Sequence, residues 1–336
     1  MTPLRFDNLQ GFTQLPWFAM DGGRLVRRDR GVGPIIDMHS HLALAYVLPM
    51  QVDLHRLAPE TQHYLPTCCP VELDVYANEN FTSQQLAEMT SDLTWRSVTR
   101  GGMRATHTIP NLVREMDEMG IAHSVILPID FPVLSENAHH ALKAGDGNPR
   151  LISFGSVHPY ARNAEDRLVA QVRRGARGVK VHPAVQCVRP DDARAMRLYR
   201  ACGELRIPVL WHCGPVGIEP RLGRYLSQVR HYERPIAENP HTTFVLGHAG
   251  ARQLDEALAL LNRYPNVSME VSSQGVGAIR RLLAHGDPNR IMYGTDWPFY
   301  HQALALAKVL MATEGDLKTR EKVLYGNAAR LLRLDA

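Results

Sequence analysis

Two histidines one residue apart anchor the chemistry of this sequence: Asp37-Met38-His39-Ser40-His41, closing the short apolar run Ile35-Ile36. On an extended strand, side chains two apart project to the same side. His39 and His41 would therefore leave the strand's C-terminal end together, as half of a transition-metal site. Polar residues close other apolar runs as well. They are Lys180 and His182 in Gly178-Val179-Lys180-Val181-His182-Pro183, His212 in Trp211-His212-Cys213-Gly214, His248 in Gly247-His248-Ala249-Gly250, and Asp296 in Gly294-Thr295-Asp296-Trp297-Pro298. A lone histidine is ordinarily a satisfied core imidazole, whereas several at strand ends, beside small residues, point to one site. Neutral imidazole and carboxylate suit zinc or a similar divalent ion such as Mn2+. Such an ion lowers the pKa of bound water toward about 7, and a neighbouring carboxylate can carry the proton released. Asp296 is the candidate for ligand and proton shuttle together, and His248 for orienting or activating the water.

These residues need elements that bring them to one point. A first strand is expected over Pro34 to Met38. Further strands follow at His123 to Ile129, Leu151 to Val157, Gly178 to Pro183, Pro208 to His212, Phe244 to His248, Val267 to Val271 and Ile291 to Thr295. Helical faces lie between them: Leu112, Met116 and Met119, stopped by Gly120; Val169 and Val172; Met196 and Tyr199, with Asp191 as the expected cap; Leu254, Leu258 and Leu261; Ile279, Leu282 and Leu283. Eight strands alternating with helices, recurring every 25 to 35 residues or so, predict an α/β fold, a closed (β/α)8 TIM barrel whose strand C-termini carry the site. An open doubly wound sheet is the runner-up, but no glycine-rich phosphate turn follows the first strand. Residues 1–33 are expected to form an irregular arm. Residues 42–110 are expected to be a long insertion after strand 1, with a helix near Ser83 to Thr90, acting as a lid or a small structural subdomain. The chain, 1–336, is otherwise read as a single domain.

Composition narrows the function classes. The chain has 336 residues, 45% hydrophobic and 21% charged, with a net charge of +4, ordinary for a globular protein. Basic residues are scattered, and the cluster from Arg24 to Arg30 lacks interleaved aromatics, so no nucleic-acid partner is expected. The five cysteines, Cys68, Cys69, Cys187, Cys202 and Cys213, show neither disulfide nor zinc spacing and fit a reducing compartment. Neither a signal-like apolar N-terminus nor a run of about 18 apolar residues is present. The expected setting is cytoplasmic and soluble, with a small-molecule substrate and no membrane partner.

Taken together, these motifs resemble the amidohydrolase superfamily of metal-dependent barrels. More narrowly, the chain is similar to the amidohydrolase-related (amidohydrolase 2) group that includes aminocarboxymuconate semialdehyde decarboxylase and resorcylate-type decarboxylases. The resemblance runs from about Ile35 to the C-terminus and includes the ending Tyr325-Gly326-Asn327-Ala328-Ala329-Arg330-Leu331-Leu332. It implies that His39, His41, His212 and Asp296 bind the metal and that His248 is the catalytic histidine of a mononuclear site. Binuclear relatives carry a carboxylated lysine bridging two ions at the end of strand four, where Lys180 stands. Because Lys-x-His-Pro is also common in mononuclear relatives, one ion is preferred over two. Asp37 would orient a ligand rather than bind metal, while His182 and His158 would line the pocket or serve structure. Relatives are often dimers, and the N-terminal arm would suit a homodimer interface.

Two reactions use nearly the same residues. In the first, preferred on the sequence, metal-bound hydroxide attacks the carbonyl of an amide, ester or lactone. In the alternative, an aromatic or unsaturated carboxylic acid loses carbon dioxide without oxidation, which calls for a cationic clamp; Arg100, Arg104, Arg189 and Arg221 are candidates. A barrel that only binds a ligand is disfavoured by the intact set of ligand-type residues. Trp211, Trp297, Tyr46 and Phe81 are candidates for an aromatic pocket wall.

Overall fold

The computed structural model describes residues 4–28, 31–45, 49–96, 99–131 and 135–334. Eight parallel strands form a ring: β1 (Ile36–Ser40), β2 (His123–Ile126), β3 (Leu151–Ser153), β4 (Val179–Val181), β5 (Val209–His212), β6 (Phe244–Gly247), β7 (Val267–Glu270) and β8 (Ile291–Met292). Hydrogen-bonded ladders join β1 to β3 and β4 to β8. Two parallel bridges, Gly155 with Val179 and Ser40 with Trp297, close the gaps and complete the barrel. The closed barrel is the predicted fold; the open sheet is not formed.

β1, β4, β5 and β6 are buried end to end, as expected of a parallel sheet covered on both faces. Ile36, Met38, Val125, Ile152, Phe154, Leu210, Val245 and Met292 gather with Ala328, Ala329 and Leu332 of the last helix in one apolar cluster. A larger cluster joins the strands to the surrounding helices. The helix Ile109–Met119 buries Leu112, Met116 and Met119 and stops at Gly120, whose φ of 63° is left-handed, a conformation that favours glycine.

Local readings are corrected at three places. Asp191 does not cap the helix Ala193–Glu204: its carboxylate pairs with Arg189, and Asp192 accepts the bond from the Arg194 amide. The arm is not irregular, since Phe18–Asp21 and Arg24–Arg27 form an antiparallel hairpin and Arg5–Phe6 pairs with Val71–Glu72 of the insertion. Trp211 and Trp297 are fully buried away from the pocket. Trp211 stacks on Phe244 at 4.3 Å, and Trp297 donates its indole N–H to Glu115. Within the insertion, the helix Ser83–Leu93 carries a capping box between Thr82 and Gln85. No described helix is long and apolar enough to cross a membrane.

Candidate metal centre and active site

β1 delivers the first two imidazoles. Its register against β2 shifts between Asp37 and Ser40, an irregularity of the kind that re-aims side chains beside active sites. The Nε2 atoms of His39 and His41 lie 3.1 Å apart, and each is 3.6 Å from Asp296 Oδ1. Ligand atoms of His39, His41 and Asp296 all fall within 4.8 Å of one another. Lys180 Nζ, from β4, reaches His39 Nε2 at 3.2 Å.

The hydrogen-bond partners fix which nitrogens carry protons. His39 Nδ1 meets the carboxylate of Glu270 at 2.7 Å, and His41 Nδ1 meets the carbonyl of Leu127 at 2.7 Å. A carboxylate and a carbonyl only accept, so both Nδ1 atoms donate and both Nε2 atoms present lone pairs. Two facing lone pairs beside a carboxylate form a set of donors that a divalent cation satisfies. The residues present therefore fit a divalent metal ion.

Asp37, fully buried, accepts from the amides of His39 and Thr295 and from the Thr295 hydroxyl. It ties β1 to the segment after β8 and hydrogen-bonds no imidazole ring among the described residues. Burial raises its carboxyl to about 7, against the pull of those hydrogen bonds.

His212 and His248 form a neighbouring pair. His248 Nε2 and His212 Nδ1 are 3.1 Å apart, and His212 Nε2 is buried without a hydrogen-bond partner. The structure thus places His212 beside the three-residue cluster rather than within it. His182 stacks on His212 at 3.9 Å, while His158 bonds to the Gln186 carbonyl outside the cavity. Glu219 stands 3.7 Å from His212 Nε2. Burial acts to raise its carboxyl, but His212 and the Val216 amide outweigh that and hold it near about 2. Burial also pushes His39, His248 and His182 well below the usual imidazole range, with neighbouring cationic groups adding to it. Burial lowers Lys180 to about 8, opposed by Glu270 and Asp296, and raises Asp296.

Three non-glycine residues here have left-handed backbone: His248 at φ 54°, Ser273 at 67° and Asp296 at 60°. Such conformations are costly and concentrate at functional sites.

The cluster opens into a cavity of about 380 Å³ whose polar lining includes His39, His41, Lys180, His182, His212, Glu219, His248 and Asp296. Its apolar lining includes Met89 and Leu93 from the insertion, Ile129, Ile218 and Phe299, with the rings of Tyr76 and Tyr300 beside them. Of the aromatic candidates, Trp211, Trp297 and Phe81 are not among the lining residues, and Tyr46 lies outside the described residues. None of Arg100, Arg104, Arg189 and Arg221 lines the cavity, nor does any other described arginine.

Sequence reasoning missed Glu270, Ser272 and Glu219. Glu270 ends β7, so the rule that found the other strand-tip groups would have found it. Glu219 lies in a loop and carries no such signal.

A closed parallel barrel thus gathers imidazoles, a lysine and carboxylates at its strand ends, a donor set that fits a divalent metal ion. The chain belongs to the amidohydrolase family, whose model matches residues 36–334. No curated protein sequence matches it. Among solved structures it is similar to a dihydroxybenzoic acid decarboxylase from a Polaromonas species with bound manganese and the inhibitor 2-nitroresorcinol (16% identity, 90% of this chain and 98% of that one, TM-score 0.60). It is similar also to a 2,6-dihydroxybenzoate decarboxylase from Rhizobium (16%, 89% and 100%, 0.58). A third is a probable 2-pyrone-4,6-dicarboxylic acid hydrolase from Acinetobacter baumannii with citric acid bound (16%, 90% and 100%, 0.56). At these identities the likeness is one of fold.

Proposed function

We propose that this chain is a divalent-metal-dependent, non-oxidative decarboxylase of a small aromatic carboxylic acid. The observation that carries the reading is the cavity's lining, which sets Lys180 and the imidazole and carboxylate cluster in one space with apolar side chains and rings. A flat ring would lie among Phe299, Tyr76 and Ile218, with its carboxylate toward Lys180 and the cluster. The named decarboxylases of the same fold support this direction over carbonyl hydrolysis, which the sequence alone favoured.

His39, His41 and Asp296 would hold the ion, with His212 the next nitrogen available to it. One ion is preferred over two. When bound, the ion would supply a positive charge that orients the substrate's oxygens and stabilises charge developing on them. Lys180 adds a donor for the same carboxylate. His248 and Asp296 face the cavity and are the groups placed to pass a proton to the ring carbon as its bond to the carboxyl carbon breaks and carbon dioxide leaves. Met89 and Leu93 exclude water from one side. No residue here is proposed to act on nucleic acid or a membrane, and the N-terminal arm would suit a homodimer interface.

The test is a turnover assay of the manganese- or zinc-loaded enzyme with hydroxybenzoates and with aryl esters and lactones, in ¹⁸O-labelled water. Carbon dioxide release matched by a decarboxylated product without ¹⁸O is expected. Labelled product with no carbon dioxide would replace decarboxylation with hydrolysis.

A further inference from the structure

Glu270 is fully buried at the end of β7, and its two oxygens are engaged on several sides. Oε1 lies 2.7 Å from His39 Nδ1, 2.6 Å from the His248 amide and 3.0 Å from the Ser272 hydroxyl. Oε2 accepts the Ser272 amide at 2.8 Å. The Ser272 hydroxyl also meets His248 Nδ1 at 2.8 Å. The neighbouring strands leave room for this side chain. A Cβ on Gly294 would come 2.3 Å from Glu270 Oε2, and one on Gly247 would come 3.3 Å from Oε1 and 2.2 Å from the Trp211 carbonyl. Gly294 thus leaves the space that Glu270 occupies, whereas Gly247 is required by the Trp211 carbonyl.

The proton positions follow from what each group can do. The carboxylate only accepts, so His39 donates from Nδ1. The Ser272 hydroxyl has one hydrogen and directs it to Glu270, the charged acceptor, leaving its lone pair for an N–H on His248 Nδ1. His248 Nε2 is then bare and faces His212 Nδ1 at 3.1 Å. One carboxylate thereby sets two rings, His39 and His248, in the same tautomer.

We propose that Glu270 is a positioning residue which, directly at His39 and through Ser272 at His248, holds both imidazoles protonated on Nδ1 so that their Nε2 atoms face the metal cluster and the cavity. Carboxylates that orient histidine ligands in this way typically change metal affinity by about 10–100-fold when removed. The inference rests on the proposed metal site and is independent of which reaction the site performs.

The experiment measures zinc affinity of the full chain by chelator competition in wild type, Glu270→Gln and Ser272→Ala. Long-range ¹H–¹⁵N spectra of the histidines in wild type and Ser272→Ala accompany it. Glu270→Gln is expected to bind zinc at least about 10-fold more weakly, and Ser272→Ala within about twofold of wild type. Wild type should show Nδ1–H at His39 and His248, and Ser272→Ala should lose that signature at His248 alone. Wild-type zinc affinity in folded Glu270→Gln, or an Nε2–H at His39 in wild type, would overturn the assignment. Should Glu270→Gln not fold, the wild-type tautomers still decide. If wild type itself takes no zinc, it is the metal site of the proposed function that falls, while the tautomers again decide the role of Glu270.

Discussion

Two regions of this molecule combine histidine with buried carboxylate, and they do opposite things with them. Under the insertion, Glu115 accepts His63 Nε2 at 2.9 Å, the Trp297 indole at 3.2 Å and the Gln302 amide at 2.6 Å. There the carboxylate is the hub, and the donors converge on it. Burial alone would raise Glu115, but His301 and His63, together with these bonds, hold it to about 2. At the barrel mouth, Glu270 also collects donors, but the imidazole it binds, that of His39, turns its other nitrogen toward His41 Nε2 and Asp296. A satisfied hub is structural, whereas converging lone pairs await a cation. Residue type does not separate the two clusters; the direction of the second nitrogen does.

The largest effect should come from removing the convergence itself. His39→Ala with Asp296→Ala is expected to abolish metal retention and lower turnover by at least about 10³-fold, with the far-ultraviolet circular dichroism unchanged. A double mutant that stays active without metal would collapse the distinction between the clusters. Metal removal by chelator should mimic it, with activity returning on adding manganese or zinc.

The structural hub should fail in stability instead. Glu115→Ala is expected to cost about 3 kcal/mol in urea unfolding, because it strands buried donors, with zinc affinity per folded molecule unchanged. Acid should expose the same hub. Glu115 has its folded pKa depressed from 4.5 to about 2, so its contribution is present above about pH 4.5 and is lost as pH falls toward 2. His301, depressed from 6.5 to about 4 by burial, is neutral in the fold and protonates more readily when unfolded, so it too destabilises as pH falls below 6.5. The contribution of this pair to unfolding free energy should therefore decline from about pH 6.5 downward, and Glu115→Gln should flatten its part below 4.5. A decline of equal steepness in that variant would remove Glu115 from the explanation.

Smaller effects sharpen the contrast. Phe299→Ala is expected to raise KM about 10-fold with kcat nearly unchanged, since an apolar wall binds ground and transition states alike. A fall in kcat with constant KM would move Phe299 into the chemistry. Least affected should be Arg24→Ala, which breaks a part-exposed pair with Glu118 at 2.7 Å and should change stability by less than about 1 kcal/mol.

Much of the frame was legible in the chain. Apolar runs at regular intervals, each ending in a polar or small residue, dictate a parallel barrel because strands buried on both faces must be apolar throughout. The same punctuation placed His39, His41, Lys180, His212, His248 and Asp296 at one mouth. Asp191 and Asp192 are chemically alike in sequence, and only the path of the chain into the helix decided which one caps. Trp211 and Trp297 carried a plausible pocket reading, yet the barrel turned both rings into packed surroundings, as side-chain direction depends on local twist.

What the sequence determined by itself was the identity and order of the strand-end groups, because period-two alternation and strand termination are local properties. What only the tertiary structure decided was which nitrogen of each imidazole is free. That depends on Glu270 from β7, Leu127 beyond β2 and Ser272 meeting rings from β1 and the end of β6. Those contacts join residues up to 233 positions apart, and no local pattern in a chain encodes the partner that a ring will face after the barrel has closed.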